Sequence, residues 1–281
     1  MSAVRRAAVA GTWYPGTAAA LASAVDAHLA NADRQARDVA GRIAALICPH
    51  AGLIYSGPVA AHAYRLLRGR AFDVAVLVGP SHFVGFDGVA IYPSGGFETP
   101  FGVARIDETL AAALLAASPI VREHGAAHAR EHSLEMQLPF LQRLAPDVPI
   151  VPLVMGYQTA DTAVALGEAL AATLRGRNAL LVASTDLSHY YDAATASRLD
   201  GVVIDCVERF DADALQEALT QEPQHACGGG PTVAVMRAAR LGGARDAAVL
   251  RYADSGDVSG DKSAVVGYLA AALGTLDGGD R

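Results

Sequence analysis

The chain has 281 residues, 52% hydrophobic and only 6% aromatic, which is apolar material for one full core. Its net charge is −7 and no basic cluster exceeds the pair Arg5-Arg6, so nothing favours a nucleic-acid partner or an anionic membrane surface. No apolar run reaches the ~18 residues of a membrane span. The stretch after Arg5-Arg6 stops at Thr12-Trp13-Tyr14-Pro15-Gly16, too short for an export signal. Three cysteines at irregular spacing suit free thiols in a reducing cytoplasm.

Helical composition comes first, over Thr17 to Ala32, followed by a polar connector from Arg34 to Gly41. A strand over 43–48 leads through a loop holding His50 into a helix over 57–69. A strand over 74–78 leads through a loop holding His82 to a strand from Val89 to Tyr92. Ser94 to Asp107, rich in Gly and Pro, reads as a loop or hairpin excursion. A helix over 107–117 and another over 133–145 follow, with Pro139 expected to bend the second. A strand over 149–154, a helix over 160–175 and a strand over 179–184 come next. Helices over 193–210 and 231–241 and strands over 246–252 and 263–271 complete the order. The strands are continuous apolar runs, so both faces should be covered. Alternation with helices then predicts a three-layer αβα sandwich around a mostly parallel, mixed sheet, with residues 1–281 as one domain.

His50 and His82 stand in matching strand–Pro–His contexts. One histidine after a strand is usually an ordinary loop residue. Two at the carboxyl ends of parallel strands share the crevice where open α/β sheets bind ligands, and neutral imidazole is the commonest metal ligand. Cys227 precedes Gly228-Gly229-Gly230-Pro231 at the start of a helical pattern, a position that favours thiolate and permits close backbone approach. The bland alternative is a tight turn. In Ser184-Thr185-Asp186-Leu187-Ser188-His189, the first three residues read as a helix cap or, alternatively, Asp186 reads as a carboxylate orienting His189 as a catalytic imidazole. His124, His128 and His132 recur at i, i+4 and i+8, but Gly125 and the lack of apolar periodicity argue against a metal-binding helical stripe there. His225 and His62 have weaker cases.

Taken in order, VAGTWYPG, CPHAGLIYSGPVAAHAY, GPSH, EHSLEMQLPFL, STDLSHY, HACGGGP and YADSGDVSGDKSAVVGYLA span Ala10 to Leu269, and the set resembles the Memo-like family, also known as component B of the AmmeMemoRadiSam system. The resemblance implies a fold like that of LigB-type class III extradiol dioxygenases, which open catechol rings with non-heme Fe(II). It implies His50, His82 and Cys227 as metal ligands, Asp186 and His189 as the polar pair beside them, and His132 and Glu135 as supporting residues. Fe(II) is the metal expected, with Cu or Zn as alternatives, and a radical-SAM protein is the partner that the family name implies. A cysteine replaces the dioxygenase carboxylate, so ring cleavage is not inherited with the fold. Three functions follow as expectations. One is a metal-dependent oxidoreductase acting on an unknown small molecule. The second is a non-catalytic metal or redox protein, and the third a metal-free hydrolase using Cys227, His189 and Asp186.

Overall fold

In the computed structural model, which describes residues 4–35 and 39–277, the apolar runs of the sequence become the centre of a nine-stranded mixed sheet. The chain begins with β1 (Val4–Arg5), α1 (Ala18–Gln35), β2 (Gly41–Cys48), α2 (Leu53–Tyr64), β3 (Val74–Pro80) and β4 (Val89–Ile91). Then come β5 (Gly96–Thr99), β6 (Gly102–Arg105), α3 (Glu108–Ala117), β7 (Val121–Glu123), α4 (Gly125–Ala129), α5 (Leu138–Leu144), β8 (Ile150–Met155), α6 (Ala160–Thr173) and β9 (Ala179–Ser184). The last third holds β10 (His189–Tyr191), α7 (Ala193–Glu208), α8 (Ala212–Gln221), α9 (Gly229–Leu241), β11 (Asp246–Asp254), α10 (Gly256–Ser259) and β12 (Val265–Leu276).

Parallel pairing joins β2 to β9, β9 to β3 and β3 to β8, and every residue of β3 and β8 is buried, as covered parallel strands require. Antiparallel strands flank this centre: β12 lies against β2, and β4 against β8. β11 and β12 also pair antiparallel, because their connection, residues 255–264, is shorter than a parallel crossover needs. The hairpin of β5 and β6 joins β1 in a separate three-stranded sheet. Helix α2 packs on β2, β11 and β12, with α1 and α5 against it. Helix α9 packs on β2, β3 and β9, with α6 and α8 against it. Buried side chains from Tyr14 to Leu273 form one continuous apolar cluster. Among the described residues, no helix is long and apolar enough to cross a membrane.

Several boundaries differ from those read in the sequence. Helix α1 continues through Arg34 and Gln35, and residues 36–38 of the expected connector lie outside the described residues. Helix α2 starts a turn early, at Leu53, with Pro58 inside it; its N-cap, Gly52, offers no side chain that would mark the start. The expected helix over 133–145 is a 3-10 turn at Glu135–Gln137 followed by α5, whose first turn takes Pro139 without a bend. Helix α8 was not anticipated. Asp211 caps it through Ala214 N–H, and Leu215 and Leu219 bury at helical spacing.

The arrangement that matters for function is the order of three strands. β9 lies between β2 and β3, so the loops after all three leave the same end of the sheet side by side. Those loops carry Asp186, His50 and His82.

Candidate metal centre

The His50 imidazole is buried, and its Nδ1 lies 2.9 Å from Ser184 Oγ at the end of β9. The Asp186 carboxylate does not face solvent. Its Oδ1 accepts the backbone N–H of His50 at 2.7 Å and that of Ala51 at 3.3 Å, so it fixes the turn that aims His50. Burial raises the Asp186 carboxyl to about 7 despite those donors.

On β3's side, Glu131 organises the His82 loop. Its Oε2 accepts His82 N–H at 2.6 Å, and its Oε1 accepts His82 Nδ1–H at 2.9 Å. The same Oε1 accepts the backbone N–H groups of His132 and Ser133. Burial alone would raise this carboxyl, but His82 and these donors hold it at about 2. The 131–133 turn can press onto β3 because residue 79 is glycine: a Cβ there would lie 2.8 Å from Ser133 Oγ.

His132 completes a cluster. Its ring stacks on His82 at 4.5 Å, and the His50 ring stands edge-on to both, 5.2 Å from His82 and 5.6 Å from His132. One nitrogen of each of His50, His82 and His132 lies within 4.8 Å of the others, a grouping able to hold a metal ion. Cys227 joins through Sγ, 3.2 Å from His50 Nε2. A Cβ at Gly228 would run into the Ser184 carbonyl oxygen, so glycine is what lets the Cys227 turn reach the sheet. Ligand atoms around one tetrahedral ion sit about 3.3–3.8 Å apart, so the three imidazole nitrogens need only a small closure to share one transition ion, whereas Cys227 Sγ is close to His50 alone and lies outside that group.

Protonation favours that use for the nitrogens. Burial, then the neighbouring His82, His132 and His189, hold His50 well below the usual imidazole range. Burial and His82 bring His132 to about 4. Both rings are therefore neutral at pH 7. Cys227 behaves differently from the expectation of an activated thiolate. Burial and the Asp186 charge push its thiol well up, outweighing its place before α9.

The remaining expected residues separate. His189 lies near enough for its charge to bear on His50, but its Nδ1–H donates to Leu187 O at 2.7 Å and not to Asp186. The Cys227–His189–Asp186 relay of a hydrolase is therefore not assembled: Asp186 serves backbone N–H groups, and Cys227 meets His50. Tyr190, beside His189, holds φ at 65° at an irregular register, and its ring is exposed. Glu135 is wholly buried and makes no hydrogen bond to the imidazoles, although its charge acts on His132; it takes Arg5, the Tyr14 hydroxyl and the backbone N–H groups of Ala8 and Val9. The His124–His128–His132 stripe does not form. His124 caps α4, and His128 is buried against Ala90 O. His62 and His225 are buried elsewhere, each with an unpartnered Nδ1.

Four participants were not singled out in the sequence: Glu131, Ser184 as a hydrogen-bond partner, Gln137, and Trp13, whose ring centroid lies 4.2 Å from that of His132. The only sequence signal was their place inside the motifs EHSLEMQ, STD and TWYPG.

Residues 5–272 match the sequence model of the family described as Memo-like protein. The chain is 39% identical over 272 residues to the MEMO1 family protein MTH_45 of Methanothermobacter thermautotrophicus, covering 94% of this chain and 98% of that one. It is 40% identical over 271 residues to a MEMO1 family protein of Methanosarcina acetivorans, covering 95% and 98%. Among solved structures, the uncharacterized protein JW3007 of Escherichia coli K12 has the same fold, with a TM-score of 0.58 at 17% identity over 83% of this chain and 99% of that one.

Proposed function

The chain belongs to the Memo-like protein family, and from that premise we propose that it binds one redox-active transition ion, Fe(II) or Cu(I), and acts as an oxidoreductase on a small molecule. His50, His82 and Cys227 are the proposed ligands, with His132 at a fourth position. The observation that carries the reading is the convergence of three imidazoles within 4.8 Å, with a thiol 3.2 Å from one of them. Imidazole with thiolate suits iron, copper and zinc, and not the hard cations that take oxygen ligands. Bound there, such an ion supplies Lewis acidity and one-electron chemistry.

The chain's own residues do the rest. Asp186 and Glu131 set the backbone turns that present His50 and His82. His189, with Nδ1–H committed to Leu187 O, keeps an Nε2 lone pair to take a proton from a bound substrate. The exposed rings of Trp13 and Phe83 stand against His132 and form an apolar rim over the cluster.

Metal analysis of anaerobically purified protein should give roughly one ion per chain, lost in His50→Ala and His82→Ala. Absence of metal, with no uptake of Fe(II), Cu(I) or Zn(II), overturns metal binding. Oxygen uptake by the reduced iron form across a panel of phenols and catechols tests the oxidoreductase reading, and no uptake with any of them rejects it.

A further inference from the structure

A histidine donates to a metal only through a ring nitrogen that carries no proton, so the tautomer of His50 decides whether Nε2 is a ligand at all. We propose that Gln137 and Ser184 are positioning residues that lock His50 in the Nδ1–H form and so keep Nε2 as the unprotonated nitrogen, which faces Cys227 Sγ at 3.2 Å. The inference rests on the metal-binding reading for its use, but not for its test.

The hydrogen-bond directions follow from groups that have no choice. The Pro49 carbonyl can only accept, and it lies 3.1 Å from one end of the Gln137 amide, so that end is the NH2. The amide oxygen then faces the Tyr64 hydroxyl, which donates to it at 2.8 Å. With its orientation fixed at both ends, Gln137 Nε2 donates to Ser184 Oγ at 2.7 Å. The Ser133 carbonyl also can only accept, and Ser184 Oγ donates its single proton there at 2.7 Å. The hydroxyl has no proton left for His50, whose Nδ1 lies 2.9 Å away, so the ring must donate.

Gln137, Ser133, Ser184 and His50 are all buried, and water does not scramble the directions. The chain of bonds links α2, the turn before α5, the end of β9 and the loop after β2. His82 is locked in the same sense by a single carboxylate, Glu131. His50 reaches that state through neutral groups, which leaves no fixed anion behind its ring.

The test is the 15N spectrum of selectively labelled histidines in metal-free protein at pH 7. His50 should show a protonated Nδ1 and an unprotonated Nε2. Ser184→Ala removes the acceptor, and the ring should move to a mixture or to the Nε2–H form, with Co(II) affinity falling about 10- to 100-fold. Gln137→Leu frees Ser184 to turn and should shift the tautomer in the same direction, by less. His82 should stay Nδ1–H in both, which separates loss of the lock from loss of the fold. An Nε2–H form of His50 in the wild-type protein overturns the proposal without any variant, and so does an unchanged His50 tautomer in folded Ser184→Ala. If wild-type protein binds no Co(II) yet shows Nδ1–H on His50, the lock stands and the metal reading fails.

Discussion

Two buried carboxylates four residues apart, Glu131 and Glu135, do opposite work. Glu131 spends its oxygens on the His82 ring and on three backbone N–H groups beside the imidazole cluster. Glu135 spends its own on Arg5, Tyr14 and the backbone of Ala8 and Val9, which ties the N-terminal segment to the body of the protein. One acid holds the chemistry and the other holds the wall beside it. The difference lies in the partner. Glu131 faces the ring of a proposed ligand, whereas Glu135 faces a guanidinium that is always charged. Damage to the two should therefore show up in different measurements.

The largest effect is expected at Glu135. In Glu135→Ala, Arg5 keeps its bonds to the carbonyls of His128 and Glu131 but loses its buried counter-charge. Breaking such a pair costs about 3–5 kcal/mol, which in a chain of this size lowers Tm on the order of 10 °C. The folded fraction should still bind metal at wild-type stoichiometry, and loss of metal at unchanged Tm would erase the contrast. Next comes Glu131→Gln, where Co(II) affinity should fall about 10- to 100-fold because His82 loses its charged orienting partner. The same variant carries a pH signature. In the wild type the folded Glu131 carboxyl is held at about 2, below the ordinary 4.5, so its stabilisation is complete above pH 4.5 and is lost as pH falls toward 2. The window corresponds to something on the order of 3 kcal/mol. Urea midpoints of metal-free wild type and Glu131→Gln should therefore converge as pH falls from 4.5 toward 2, and parallel lines would remove Glu131 from the acid response.

His50 and His82 were legible because the loop after a parallel strand has one destination, the crevice at the carboxyl end of the sheet. The central strands were legible for a related reason, since continuous apolar runs need cover on both faces. What the sequence concealed depends on distance along the chain. Glu131 reaches back 49 residues to His82, Ser184 134 residues to His50, and Glu135 130 residues to Arg5. No local pattern encodes such pairings, so the segment Glu131 to Glu135 stands out in the sequence without showing which of its two acids serves the site. Cys227 shows a local rule overridden: a place before a helix favours thiolate, but burial opposes it more strongly. Helix α8 carries readable signals, the cap Asp211 and the Leu215–Leu219 pair, but only those two of its side chains are buried, so its apolar face is thin.

The smallest expected effect lies where the two acids meet. Trp13 is held by the segment that Glu135 clamps, and its ring lies against His132, whose backbone Glu131 holds. Because Trp13 is 38% exposed, replacing it with leucine should cost only about 1 kcal/mol. It is also the single tryptophan of the chain, so its fluorescence reports on this one contact. Burial and the His82 charge hold His132 at about 4 in the metal-free protein. As pH falls from 6 to 3, a cation should form 4.2 Å from the indole and quench its emission, with a midpoint near pH 4. Glu131 and Glu135 both favour the charged imidazole, so either variant should move that midpoint lower, but Glu131→Gln should do so with Trp13 in place, whereas Glu135→Ala should also loosen Trp13 and flatten the titration. Were Glu135→Ala to keep the full amplitude of the titration, with Trp13 still in place, the division of labour between the two carboxylates would be wrong.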